Sequence, residues 1–275
     1  MMINSFFHQI KILTGAFVVL VTLMVPYSSN ANANDDEYVP TTLITGANRG
    51  IGFEFTKQYL AKGWKVIATC RKPETADQLI LLQKQFPSLL IIDRLDVTDH
   101  SQIDQLAEKY STIAIDVLLN NAGISGDTKN QIFGTMNYDV YHKVLAVNTI
   151  GPLKMAEAFY PHVKASEQKK IITVSSSEGS IATADKRGGG RLFFYRSSKS
   201  ALNMVMVNLA LQLKSRGVAV GMVNPGATDT DFMTGLPIPL RKTEVAVSDM
   251  IRNIDSITIE NTGAYLNYNG KTVPW

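Results

Sequence analysis

Tyr195 and Lys199, in the stretch YRSSK, place a phenol and an ammonium four residues apart. On a helix, residues i and i+4 stand one above the other on a single face, so both groups can address one point. A phenol beside a cation is suited to proton transfer. Tyr-x-x-x-Lys also arises by chance in many helices, where it is an exposed pair of little consequence, so its surroundings decide. A second stretch, TGANRGIG from Thr45 to Gly52, lies between a β-rich run and a helical one. Gly46, Gly50 and Gly52 allow a tight turn and close backbone approach to a pyrophosphate, whose charge then rests on a helix N-terminus.

These groups need a frame to hold them. Runs rich in β-branched residues alternate with helical stretches: TTLIT, IGFEFTKQYLAK, WKVIATC, PETADQLILLQKQF, LLIIDRLDV, HSQIDQLAEKY and IDVLLNNAG. The second half continues with one long helix around Met136 to Val163, the strand KKIITVSS, a helix from Tyr195 to Arg216 and the strand VAVGMVNPG. A helix near KTEVAVSDMIRNI and a last strand AYLNYN close it. Strands separated by helices of this length predict βαβ units in a parallel, doubly wound α/β sheet of the Rossmann type. Gly63 and Gly217 fall where helix C-caps belong.

The bulk composition fits one such domain. The chain has 275 residues, 45% of them apolar, enough for a sizeable core. Net charge is +3 with no basic run, which gives nucleic-acid binding no support. Cys70 is the single cysteine, so an intrachain disulfide and a cysteine-built metal site are excluded, and His8, His100, His142 and His162 lack metal-ligand spacing. The N-terminus differs in kind. Lys11 precedes the apolar run Ile12 to Val25, and Ala31 and Ala33 follow in an Ala-x-Ala, which reads as a secretory signal peptide. An uncleaved membrane anchor and a start at Met24 are the competing readings. Residues 1–34 are set apart on this basis, and the domain is expected over residues 38–275.

The ordered set TGANRGIG, NNAG (Asn120 to Gly123), VSSSEG (Val174 to Gly179), YRSSK and NPG (Asn224 to Gly226) resembles the short-chain dehydrogenase/reductase family. The resemblance covers Thr41 to Trp275. Within the family, YRSSKSALNM and the ending YNGKTVPW are similar to the C-factor and sniffer-type carbonyl reductase branch. It implies a nicotinamide cofactor held by Gly46, Asn48, Arg49, Gly50, Ile51 and Gly52. Asp96 would serve the adenine, Asn120 and Gly123 the adenosine ribose, and Thr230, with Pro225 and Gly226, the nicotinamide end. A structural role is expected for Asn121. Family members that use NAD carry a carboxylate at the end of the second strand. Here Cys70 stands there with Arg71 next, so a 2′-phosphate meets no acid and a guanidinium can grip it, with Arg49 as a second cation. NADP(H) is therefore expected over NAD(H).

The resemblance also implies the reacting set Asn148, Ser176, Tyr195 and Lys199. Ser176 would orient the carbonyl, with Ser175 and Ser177 as flanking alternatives. Lys199 would hold the nicotinamide ribose and, with the nicotinamide's charge, draw Tyr195 below its ordinary titration range near 10. Asn148 would kink its helix and serve a proton relay. The segment DFMTGLPIPLRK, with Phe232, Met233, Leu236 and Ile238, implies an apolar covering for a hydrophobic aldehyde or ketone. Gly188 to Gly190, between Arg187 and Arg191, read as a flexible stretch. The apolar helix from Ala201 to Leu213 suggests a homo-oligomer or simply core packing. The expected activity is hydride exchange between NADP(H) and a carbonyl or alcohol. A C-factor-like signalling protein that binds the nucleotide with little turnover is the alternative. Location stays divided, because the N-terminus suggests export or membrane association and the cofactor suggests the cytoplasm.

Overall fold

Helices between short β-branched runs give the long crossovers that parallel pairing needs, and the strands of the sheet use them. The computed structural model describes residues 38–186, 190–231 and 239–275. The N-terminal segment to Asn34, Arg187 and Gly188, and the apolar Phe232, Met233, Leu236 and Ile238 lie outside the described residues. Tyr38–Trp275 makes one compact unit.

In chain order the elements are β1 (Thr41–Thr45), α1 (Gly50–Ala61), β2 (Lys65–Cys70), α2 (Asp77–Gln85), β3 (Leu90–Arg94), α3 (His100–Lys109) and β4 (Val117–Asn120). Then come α4 (Tyr138–Leu145), α5 (Gly151–Lys164), β5 (Lys170–Val174), α6 (Phe193–Lys214), β6 (Ala219–Asn224), α7 (Thr243–Ser256) and β7 (Tyr265–Asn267). The sheet runs β3-β2-β1-β4-β5-β6-β7. Every pairing is parallel, with Thr42 opposite Val66 on one side and Val117 on the other. The winding reverses between β1 and β4, and ligands of such sheets bind outside the carboxyl ends of the strands at that switch.

Side chains alternate across the sheet and feed two cores. Leu43, Leu118, Ile171 and Val220 pack with Phe159, Leu202 and Met206 on one face. Ile44, Leu119, Ile172 and Val223 pack with Phe55, Val247 and Ile254 on the other. At the amino ends of the strands, Asp116 is 1% exposed. Its carboxylate accepts from the backbone N–H groups of Thr41 (2.8 Å), Gln168 (3.1 Å) and Glu167 (3.2 Å) and from the Tyr38 hydroxyl. This ties β1, β4 and the approach to β5 together at the edge opposite the glycine turn.

Two expectations need correction. The single helix expected around Met136 to Val163 is two helices joined by a π-helical turn, Ala146–Ile150. Pro152 has no N–H to donate and its ring crowds the preceding turn, and the wider π spacing absorbs both. The helix expected from Pro73 begins only at Asp77, after a 3₁₀ turn over Pro73–Thr75. Gly63 and Gly217 do lie just past helix ends, at φ +79° and +74°.

Candidate active site

The parallel register brings every chemistry-bearing motif to one edge. TGANRGIG follows β1, Arg71 follows β2, Asp96 follows β3, Asn120 ends β4, Ser176 follows β5 and Pro225-Gly226 follow β6. The glycine turn is locked from beneath. Gly46 and Gly50 adopt φ +66° and +54°, the left-handed region open to glycine. A Cβ on Gly52 would lie 2.2 Å from the Gly46 carbonyl oxygen and 2.5 Å from Asn121 Nδ2, so no side chain fits. Asn121 donates from Nδ2 to the Thr45 carbonyl (2.9 Å) and the Gly46 carbonyl (3.2 Å), the structural role expected of it. Thr45 Oγ1 in turn accepts from the N–H groups of Asn121 (3.0 Å) and Ala122 (3.1 Å).

These residues fit a dinucleotide. Helix α1 opens at Gly50 with no capping side chain from Arg49, which leaves first-turn N–H groups for an anion. Asn48 is exposed at the turn and Ile51 half-buried. Asn120 Nδ2 reaches the Pro152 carbonyl at 3.4 Å, while its Oδ1 is a buried acceptor with no partner among the described residues. Asp96 is fixed by the Thr98 N–H (3.0 Å) and hydroxyl (2.7 Å). Burial alone would raise its titration; the Thr98 bonds, with the charges of Arg71 and Lys143, outweigh that and hold it below the usual carboxylate range. Arg71 is exposed beyond buried Cys70. Arg49 instead pairs with Asp231 at 2.9 Å, an exposed ion pair of the kind worth at most about 1 kcal/mol. Thr230 sits against the glycine turn, its Cγ2 3.4 Å from where a Gly50 Cβ would be.

Helix α6 carries Tyr195 and Lys199 to the same edge. Ser176 hydrogen-bonds the Tyr195 hydroxyl and accepts from the Glu178 N–H at 3.2 Å. Ser175 turns the other way, into the core, where it donates to Asn203 Oδ1 at 2.6 Å. Lys199 is 4% exposed and donates to the Val174 carbonyl at 2.9 Å. Its ammonium lies 5.8 Å from the Tyr195 ring centroid. Asn148 is fully buried in the π turn. Its Nδ2 donates to the Ile124 carbonyl (2.8 Å) and Ser198 Oγ (3.0 Å), and its Oδ1 accepts from the Ile124 N–H (2.9 Å). Asn148 Oδ1 and Lys199 Nζ both converge on Gly123, 3.5 and 3.8 Å from where its Cβ would be.

In the chain itself burial, rather than charge, sets both groups. Burial pushes Tyr195 up to about 12, with smaller rises from Tyr265 and Glu178, against a lowering by the Ser176 hydrogen bond. Burial pushes Lys199 down to about 8. Desolvation dominates both groups, which i, i+4 spacing alone cannot reveal. Sequence reasoning also passed over the residues that seat α6. Gln131, 4% exposed, accepts from the Phe194 N–H at 2.8 Å while donating to the Ser125 (2.9 Å) and Asp127 (3.0 Å) carbonyls. Gly179 lets α6 lie against the serine turn, since a Cβ there would be 2.8 Å from the Lys199 carbonyl carbon. A buried glutamine at the end of a single 3₁₀ turn, Thr128–Gln131, has no periodicity to betray it.

A dinucleotide cradle at the switch point of a doubly wound sheet, with a phenol, a hydroxyl and an ammonium gathered beside it, defines a nicotinamide-type oxidoreductase. The chain belongs to the short chain dehydrogenase family, which it matches over residues 40–238. It is similar to the 1-hydroxy-2-glutathionyl-2-methyl-3-butene dehydrogenase of a Rhodococcus species, 30% identical over 86% of this chain and 99% of that one. It is also similar to the C-signal of Myxococcus xanthus, 32% identical over 62% of this chain and 98% of that one. Among solved structures, an NADPH-bound carbonyl reductase from chicken fatty liver superposes with a TM-score of 0.79 at 31% identity, covering 86% of this chain and 99% of that one. The carbonyl reductase Sniffer of D. melanogaster gives 0.77 at 28%, covering 86% and 100%.

Proposed function

We propose that the protein is an NADP(H)-dependent carbonyl reductase acting on a small aldehyde or ketone. The observation that carries this reading is the hydrogen bond between Ser176 and Tyr195 with buried Lys199 beside it, at the edge that holds the glycine turn. When bound, the nicotinamide supplies the hydride. Ser176 orients the carbonyl by donating to its oxygen, and Tyr195 passes a proton to that oxygen as negative charge develops. Lys199 places positive charge beside the phenol, and Asn148 holds the Ile124 backbone and the Ser198 hydroxyl that frame it. Asp96, Asn120, Gly123, Pro225, Gly226 and Thr230 are assigned to cofactor binding with the glycine turn. Similarity to a carbonyl reductase solved with NADPH supports the same reading. A panel of aldehydes, ketones and quinones assayed with NADPH and NADH tests it. Similarity to the C-signal favours a second reading, a nucleotide-binding signal protein. NADPH binding without turnover across the panel would select it.

Preference for NADP(H) rests on exposed Arg71 and on Cys70 standing where an acid would repel a 2′-phosphate. Loss of one charge-assisted phosphate contact costs on the order of 1.5–3 kcal/mol. Arg71→Ala is therefore expected to weaken NADPH by roughly tenfold or more while leaving NADH almost unchanged, read by fluorescence titration. Equal losses for both would remove the basis for the preference. Self-association is proposed through α6, whose Met204 and Leu211 are 63% and 71% exposed. Sedimentation of the purified chain is expected to show a species larger than the monomer, reduced by Leu211→Glu.

A further inference from the structure

Ser176 is held through its backbone by the last strand and the residues that follow it. Tyr265, on β7 and fully buried, donates its hydroxyl to the Ser176 carbonyl. The Trp275 ring stacks on the Tyr265 ring, 5.4 Å between centroids and 29° between planes. Beyond β7 the backbone folds back: Val273 N–H donates to the Tyr265 carbonyl at 2.8 Å, and Leu266 pairs with Thr272 in an antiparallel bridge. The return brings the Trp275 carbonyl to the segment after Ser176. There it accepts from the Ala182 N–H at 2.6 Å and the Ser180 hydroxyl at 3.4 Å. Val273, 4% exposed, anchors the return in the core. The Ser176–Ala182 turn is thus gripped at both ends, by Tyr265 at its start and by Trp275 at its finish.

We infer that Tyr265 and Trp275 are positioning residues of the reaction, setting the Ser176 hydroxyl against Tyr195 through the Ser176 backbone. This rests on the carbonyl-orienting role proposed for Ser176. A carbonyl-binding hydroxyl must be held within a fraction of an ångström to act in the transition state, and a residue on a loop gains such precision only from neighbours that are themselves fixed. Tyr265 is fixed by the parallel pairing of β7 with β6, Met222 opposite Tyr265. Trp275 closes the clamp from outside, being 50% exposed. The last strand and its return therefore complete the reacting centre as well as the sheet.

The test uses the full chain with NADPH and 4-nitrobenzaldehyde, or the fastest carbonyl of the panel. Tyr265→Phe keeps the ring and its stacking and removes one hydrogen bond. It is expected to lower kcat about tenfold while the KM for NADPH holds. Trp275→Ala is expected to lower kcat in the same direction, and Trp275→Phe to restore most of it. The decisive measurement repeats Tyr265→Phe in a Ser176→Ala background under single-turnover conditions. Residues acting as a unit are not additive, so the second change should cost almost nothing there. An equal loss in both backgrounds, or full kcat in Tyr265→Phe, overturns the inference. Undiminished kcat in Ser176→Ala alone overturns the role of Ser176 instead. Should Tyr265→Phe fail to fold, the Trp275→Ala and Trp275→Phe pair in both backgrounds reads the same coupling.

Discussion

Tyr195→Phe is expected to lower carbonyl reduction by at least about 10²-fold, and by up to about 10⁴-fold, because it deletes the acid and keeps the ring. NADPH affinity and melting temperature should hold, since the phenyl ring stays in place on α6. The pH profile carries a second signature. Tyr195 is pushed up to about 12 in the chain itself, so its proton is present throughout the neutral range and reduction should run level there. Alcohol oxidation needs the phenolate and should climb with pH. Steady-state rates in both directions, together with cofactor titration, check the assignment. Wild-type turnover in Tyr195→Phe would refute it.

Lys199→Met is expected to separate stability from function. The wild-type ammonium is 4% exposed, and its burial pushes it down to about 8 from an ordinary 10.5. Below pH 8 the folded chain therefore holds a charge that the unfolded chain solvates better. Removing that charge with a side chain of similar length lifts the burial cost and gives up the bond to the Val174 carbonyl, and the net is expected as a stabilisation of roughly 1 kcal/mol for the cofactor-free protein at neutral pH. Between about pH 8 and 10.5 the unfolded chain binds more protons than the folded one. Wild-type stability thus rises with pH over that window, and the advantage of Lys199→Met shrinks. Turnover should nevertheless fall by at least about 10²-fold, with weaker NADPH binding, because the cation beside Tyr195 is gone. Denaturant melts across pH, paired with kinetics, read both effects. A variant less stable than wild type at pH 7 would count against the burial argument.

Much of this was legible in the chain because it is local. Glycines in a turn, a tyrosine and lysine one helical turn apart, and β-branched runs between amphipathic ones are short-range patterns, and they place the strands, the glycine turn and the Tyr195–Lys199 pair. The serine register was legible only through the family resemblance, since Ser175, Ser176 and Ser177 are chemically alike and only the direction of each side chain separates them. The side of the sheet met by Ser175 follows from its pairing with Asn203 on α6, 28 residues away. The exposed pairing of Arg49 with Asp231, 182 residues later, was equally invisible in sequence. The sign of the Tyr195 shift needed burial, which no spacing reports. Tyr265 read as an ordinary strand residue for the same reason, its partner Ser176 being 89 positions earlier.

The pairing of β1 with β4 has a consequence for how the protein comes into being. Ribosomes release β1, α1 and β2 first, yet one side of β1 waits for residues 117–119, about 75 positions downstream. Asn121 and Thr45, which lock the glycine turn, meet only after that wait. During synthesis the nascent chain thus carries an open strand edge and an unfinished nucleotide cradle, a state suited to mispairing and to capture by chaperones. The nucleotide's stabilising influence begins only once the fourth strand has emerged and slotted in beside the first.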